Sequence, residues 1–154
     1  TGKTSDDPAA NWSLSGILVR DPRSTHANEN WVAFRTGFVN GSRVYERKTT
    51  LRSHSLLVLG SSPSGWVDLR VARVGSRFFL LKRNAGGKWV EHWSYNRPDL
   101  AKALQVGIDA FSGDESPHAD LISRVDWFRF APTGVPAKLR AAKDARLVPI
   151  LAKA

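Results

Sequence analysis

The sequence contains neither cysteine nor methionine. Without cysteine, the chain can form no disulfide bond and no thiolate metal site. No apolar run approaches the length of about 20 residues that a membrane-spanning helix needs, so we expect no membrane span. The chain begins with Thr1 instead of methionine, and we therefore expect it to be a processed or truncated chain.

Acidic residues are fewer than basic residues. The 23 lysines and arginines outnumber the 14 aspartates and glutamates, which gives a net charge of +9. A positive field of this size favours anionic partners in general, including acidic glycans, nucleic acid and anionic surfaces. No recognised nucleic-acid motif accompanies the charge, so nucleic acid is the weaker interpretation.

Short strand-like segments recur along most of the chain, separated by turn dipeptides such as Asn40-Gly41. In Trp66–Val74 the apolar and polar residues alternate, as in a half-buried strand. Turn signals at a spacing of roughly 8–12 residues predict an all-β sandwich or barrel. The predicted strands are Ser15–Arg20, Asn30–Val39, Arg43–Leu51, Ser55–Leu59, Trp66–Val74, Arg77–Lys82, Lys88–Tyr95, Leu104–Phe111 and Arg124–Phe130.

One helical segment is predicted near the C terminus. Ala137–Arg146 follows Pro136, and Pro149 is expected to limit its extension. We therefore divide the chain into residues 1–131, a sandwich domain, and residues 132–154, a linker or helical tail.

Several segments, taken in order, resemble the concanavalin A-like lectin/glucanase (LamG-like) jelly rolls, and in particular their bacterial extracellular branch. The resemblance covers about residues 12–131. The segments are Ser15–Asp21 (SGILVRD), Asn30–Val32 (NWV), Gly65–Gly75 (GWVDLRVARVG), Phe78-Phe79, Gly86–Trp89 (GGKW), Val106–Ala110 (VGIDA) and Val125–Phe130 (VDWFRF).

This resemblance implies an antiparallel two-sheet jelly-roll sandwich with one curved face, in an extracellular or cell-surface protein. In such domains further strands precede the segment that matches Ser15–Asp21, whereas here only a loop precedes it. Ser15–Arg20 would then lie at an unpaired sheet edge, which is a liability. We therefore expect N-terminal strands to come from the same precursor or from another polypeptide.

The chain lacks the catalytic pattern of the related glucanases. Those enzymes place paired acids on one strand, and retaining glycosidases need two carboxyl groups about 5–5.5 Å apart. The corresponding strand, Trp31–Phe38, contains no acid; Glu29 stands alone before it, and Asp114-Glu115 lies in a loop. The sequence therefore predicts that the protein is not an enzyme of this type.

The resemblance also implies one candidate cofactor, a structural calcium ion at Asp126, which opens the last predicted strand. Calcium takes six or more oxygen ligands, and one carboxylate does not define such a site. A loop cap or an ion pair with Arg124 is the alternative role for Asp126.

Aromatic side chains are the first candidates for saccharide contact, because exposed rings stack on the C–H faces of sugars. Of the six tryptophans, three fall inside strand motifs where core packing is the expected role. The candidates that remain are Trp12 in the leading loop and Trp31 at the start of a strand, followed by Trp93 and Tyr95.

Strand alternation places polar side chains beside these rings. If the apolar residues of Trp31–Phe38 face the core, Trp31 and Arg35 face outward. By the same parity Arg20, and either Arg47 or Lys48, join them. Such a groove suits an acidic or hydroxyl-rich saccharide through charge-assisted hydrogen bonds, and an ordinary solvated face is the alternative.

Two functions are consistent with these patterns. The first is a non-catalytic carbohydrate-binding module. The second is a structural or assembly module that packs against another chain or against its own cleaved N-terminal part. Exposed tryptophan in a groove favours the first, and a large exposed apolar patch beside an open strand edge favours the second.

Overall fold

The computed structural model describes residues 11–113 and 121–154. These residues form two antiparallel sheets and a short C-terminal helix, which confirms the predicted all-β class with its helical tail and is consistent with a sandwich. The strands are β1 (Ser13–Arg20), β2 (Trp31–Val39), β3 (Ser42–Leu51), β4 (His54–Ser61), β5 (Val67–Val74), β6 (Arg77–Asn84), β7 (Val90–Asn96) and β8 (Gln105–Ser112), and the helix is α1 (Asp144–Leu151).

The described residues form two compact units. Residues 11–65, 101–113 and 121–126 form the first, and residues 66–100 and 127–154 form the second. Each unit contains one sheet.

The first sheet has the strand order β4-β3-β2-β1-β8. β2 and β3 form a hairpin in which Asn40 and Gly41 both have positive φ, as the predicted two-residue turn requires. The expectation that Ser15–Arg20 lies at an unpaired edge is wrong, because β1 pairs with β2 on one side and with β8 on the other. β8 is far from β1 in sequence, so the segments next to β1 in the chain could not predict this pairing.

The second sheet has the order β5-β6-β7. One of its faces packs against α1, whose Leu147 and Leu151 are buried. These two leucines form a core cluster with Ala72, Val74, Phe79, Leu81 and Val135. The C-terminal residues therefore contribute to the hydrophobic core of the second unit.

The ninth predicted strand, Arg124–Phe130, is wrong. Within residues 121–131 the structure contains no strand, and Val125 and Phe130 are 49% and 73% exposed. A strand needs a neighbour that pairs with its backbone N–H and C=O groups. None of the strands in the described ranges pairs with this segment, so its alternating pattern alone does not make a strand.

The predicted boundaries of the helix are also wrong. Ala137–Leu139 forms a short 3₁₀ helix, and α1 runs from Asp144 to Leu151 with Pro149 inside it. Proline removes one backbone hydrogen bond, but the burial of the two α1 leucines offsets this cost. Asp144 lies in the first turn, where a negative charge interacts favourably with the helix dipole.

Candidate functional site

One face of the first sheet carries a cluster of polar and aromatic side chains, which we call the polar face. Strand alternation and register place these residues on the same side, since Arg35 is opposite Glu46 on β3 and opposite Gly16 on β1, and Gly16 is opposite Asp109 on β8. The members of the polar face are Arg20, Trp31, Arg35, Glu46, Lys48, Gln105, Asp109 and Phe111.

Arg35 is the centre of the polar face and is 5% exposed. Its Nη1 lies 2.5 Å from Oε1 of Glu46, which is fully buried. Its Nε and Nη2 donate to the carboxylate of Asp109. Burial alone lowers the pKa of Arg35, but the hydrogen bonds and charges of Asp109 and Glu46 raise it above its ordinary value. The three side chains form one fixed ion cluster.

The bridge from Arg35 to Asp109 crosses β1 at Gly16. A Cβ atom on Gly16 would lie 2.2 Å from the carbonyl oxygen of Phe34, which is far inside van der Waals contact. The position therefore requires glycine, and the missing side chain leaves room for the ion pair that joins β2 to β8.

Trp31 lies beside this cluster, at the start of β2, and its side chain is partly exposed. The guanidinium carbon of Arg35 and the Nζ of Lys48 lie 5.5 and 5.3 Å from its ring centroid. Its Nε1 donates a 3.0 Å hydrogen bond to Oε2 of Glu29. Arg20, which is opposite Trp31 on β1, lies 3.7 Å from the other oxygen of Glu29. The indole is therefore held in place while part of its surface remains open.

An open depression of about 220 Å³ adjoins Arg20 at the β8 side of the sheet. It is lined by Leu18, Arg20 and the residues Gln105, Val106, Gly107 and Ile108. A Cβ atom on Gly107 would meet no atom within 4 Å, so the missing side chain at this position helps to create the open space.

The structure brings four of the predicted contact residues together and places the others elsewhere. Arg20, Trp31, Arg35 and Lys48 share the polar face, although Arg35 is buried in the ion cluster and does not line an open groove. Trp12 lies before β1 and packs partly against Leu14, Val39 and Val44, which the strand register places at the other end of the same face. Trp93 and Tyr95 lie on β7, in the second unit.

Two important residues, Glu46 and Asp109, were missed by the sequence reasoning. A signal was present: Asp109 stands between Ile108 and Ala110 in a mostly apolar strand. A charged residue within such a segment points to an ionic partner. The Asp114-Glu115 pair lies outside the described residues.

The described ranges contain no group of three or more histidine, aspartate or glutamate side chains that could hold a metal ion. The calcium at Asp126 therefore stays a prediction. None of the helices in these ranges has the length and apolarity needed to cross a membrane.

No known protein family, curated protein or solved structure matches this chain. The resemblance to the concanavalin A-like jelly rolls stays a prediction. The polar face of the first sheet is the candidate functional site.

Proposed function

We propose that the protein is a non-catalytic carbohydrate-binding module of a secreted or cell-surface protein, with the saccharide bound on the polar face at Trp31. One observation carries the proposal. The partly exposed indole of Trp31 is held by Glu29 and by two cationic side chains, and its cross-strand neighbour Arg20 lines an open depression.

Each residue of the polar face has a distinct role in the proposed binding. The ring of Trp31 offers an apolar surface for the C–H face of a sugar, and a ring already fixed in position loses little conformational entropy on binding. Arg20, Lys48 and Gln105 supply donors for hydroxyl or carboxylate oxygens at the edge of the ring. Arg35 is too deeply buried for ligand contact, so we assign it a positioning role beneath Trp31.

The burial and pairing of the two acids on the polar face support a function in binding without hydrolysis. Glu46 has no exposed surface, and both carboxylate oxygens of Asp109 accept hydrogen bonds from Arg35. A glycosidase needs one carboxyl group as acid and a second as base or nucleophile, each within reach of the sugar. In this arrangement the two carboxylates serve the ion cluster instead.

A glycan array with the purified protein tests the proposal. We expect at least one saccharide to bind, and we expect Trp31→Ala to lose at least about tenfold in affinity, the usual scale for removing an aromatic anchor. Trp66→Ala is the matched control, because Trp66 is 58% exposed and lies in the second unit. No binding at all, or equal losses in the two variants, would contradict the proposal.

The assembly module is the second candidate, and exposed apolar side chains on the edge strands favour it. Val106 and Ile108 on β8 are 37% and 43% exposed, and in the described residues β8 pairs only with β1. Such an edge can accept a strand from another polypeptide. If Val106→Lys abolishes a complex seen by light scattering while saccharide binding is absent, the assembly function is the correct one.

A further inference from the structure

The second unit holds a cluster of positive charge around one tryptophan ring. Cross-strand register places Asp68, Arg70 and Arg83 on one face of the β5–β6 pair. The guanidinium carbons of Arg70 and Arg83 lie 4.2 and 4.7 Å from the ring centroid of Trp89. We call Arg70, Arg83 and Trp89 the arginine–tryptophan cluster.

The positive charge of this cluster is not balanced. Asp68 forms an ion pair with Arg83, whereas Arg70 donates through Nη1 to the carbonyl of Leu151 and has no carboxylate partner in the described ranges. Burial lowers the pKa of the Arg70 guanidinium, and the positive charges of Arg129 and Arg83 lower it further, against the opposing effect of Asp68. Two positive charges and only one negative charge therefore act on Arg70.

Both guanidinium groups of the cluster have N–H donors that bond to no acceptor within the described residues. Within the described residues, Nε and Nη2 of Arg70 have no acceptor, and Arg83 uses only its Nε, toward Asp68. Cation–π contact with Trp89 restricts where these planar groups point. A guanidinium held in this way can bind an oxyanion through parallel N–H···O bonds, and the bound anion would relieve the repulsion between the like charges.

We propose that the arginine–tryptophan cluster binds an oxyanion group, a sulfate ester or a carboxylate, carried by an acidic polysaccharide. The half-buried ring of Trp89 adds an apolar surface for the sugar that carries the anion. Nucleic acid is the less suitable ligand, because its affinity comes from many phosphate contacts along the backbone, whereas this cluster gathers its donors around one ring. The proposal does not depend on the site at Trp31, which lies in the first unit.

Isothermal titration calorimetry at fixed ionic strength tests the proposal with four probes: dextran sulfate, polygalacturonate, uncharged dextran and duplex DNA. We expect dextran sulfate, polygalacturonate or both to bind. Because the first carries sulfate esters and the second carries carboxylates, comparison of their affinities shows which anion the cluster prefers. Uncharged dextran should not bind at this site. Binding of DNA alone, or of none of the probes, would overturn the proposal.

Variants separate this site from the general positive charge of the protein. Arg83→Gln should weaken polysaccharide binding about tenfold, which corresponds to about 1.4 kcal/mol. Asp68→Asn removes the acid that competes for Arg83 and should tighten binding. Arg146→Gln is the matched control, because Arg146 is an exposed arginine on α1 of the same unit, and its loss should change the affinity less than about twofold.

Arg70→Gln removes the bond to Leu151, so its effect on α1 is measured separately by circular dichroism. The indole N–H resonance of Trp89, assigned with Trp89→Phe, should shift when the polysaccharide is added. Equal weakening by Arg83→Gln and Arg146→Gln would show that the ligand responds to net charge and not to this cluster. Weaker binding by Asp68→Asn would also overturn the proposal, because the loss of the competing acid should free Arg83 for the ligand.

Discussion

Nη1 of Arg35 lies 2.5 Å from Oε1 of Glu46, and both side chains are almost completely buried. The second carboxylate oxygen of Glu46 is buried as well and accepts no hydrogen bond from the described residues. A buried charge of this kind depends on its partner, because the removal of one member leaves the other uncompensated in a medium of low dielectric constant.

Arg35→Leu should therefore destabilise the protein by about 3–5 kcal/mol, the usual cost of breaking a buried ion pair. The variant leaves Glu46 and Asp109 without their shared guanidinium. Urea denaturation measures the change in the free energy of unfolding. Lys48→Gln is the control, because Lys48 is only half-buried and its Nζ lies over the ring of Trp31, outside the ion cluster. A loss below about 1 kcal/mol for Arg35→Leu, the range of an exposed ion pair, would contradict this account.

Asp21 should make the stability of the protein sensitive to acid. Hydrogen bonds from the Arg23 side chain lower the pKa of Asp21 well below its ordinary value; burial opposes them, and the amides of Arg23 and Ala101 add to the lowering. Because the folded pKa lies below the unfolded value of about 3.9, the contribution is complete at neutral pH. It is lost as the pH falls below about 4 toward the folded pKa.

Comparison of the wild type with Asp21→Asn isolates this effect from other carboxylates. The difference in unfolding free energy between the two proteins should be larger at about pH 6 than at about pH 2.5. Urea titrations at both pH values measure it. A difference that is the same at both values would show that Asp21 titrates alike in the folded and unfolded chains.

Substitution by alanine should destabilise the protein at Gly16 but have little effect on its stability at Gly107. Gly16→Ala places a Cβ atom 2.2 Å from a backbone oxygen and should cost at least about 2 kcal/mol, since neighbouring backbone cannot move aside cheaply. Gly107→Ala places it in open space and should change the stability by less than about 1 kcal/mol. Thermal unfolding of the two variants gives the comparison, and equal midpoints would contradict the role of Gly16.

Leu147→Ala should destabilise the second unit by about 2–5 kcal/mol, the cost of a cavity at a fully buried leucine. Arg146→Ala, at the exposed neighbouring position of α1, should change the stability by less than about 0.5 kcal/mol. Denaturation followed by circular dichroism compares the two. A small loss for Leu147→Ala would mean that α1 is dispensable for the core of its unit.

The sequence was sufficient for eight of the nine predicted strands and for the Asn40-Gly41 turn, because their signals are local. Asn40-Gly41 between two strand-like segments favours a hairpin turn, and alternation correctly placed Trp31 and Arg35 on one face of β2. The helix was misplaced because its position depends on the burial of Leu147 and Leu151, which is a tertiary effect.

The ion cluster could not be predicted in the same way. Arg35 pairs with Glu46, which is 11 residues away in sequence, and with Asp109, which is 74 residues away. The second contact exists only because β8 pairs with β1, a long-range choice that no local pattern specifies. The segment Arg124–Phe130 illustrates the converse, since a strong local strand pattern there found no partner strand among the described residues.

The central claim is that a saccharide binds on the polar face across Trp31 and the depression at Gly107. Isothermal titration calorimetry of Gly107→Val with the strongest ligand from the glycan array tests it most directly. A Cβ atom at this position meets no atom within 4 Å, so we expect a valine to occupy the open space. The account predicts at least about a tenfold loss of affinity, or about 1.4 kcal/mol, with an unchanged unfolding midpoint. Unchanged affinity in the folded variant would contradict it.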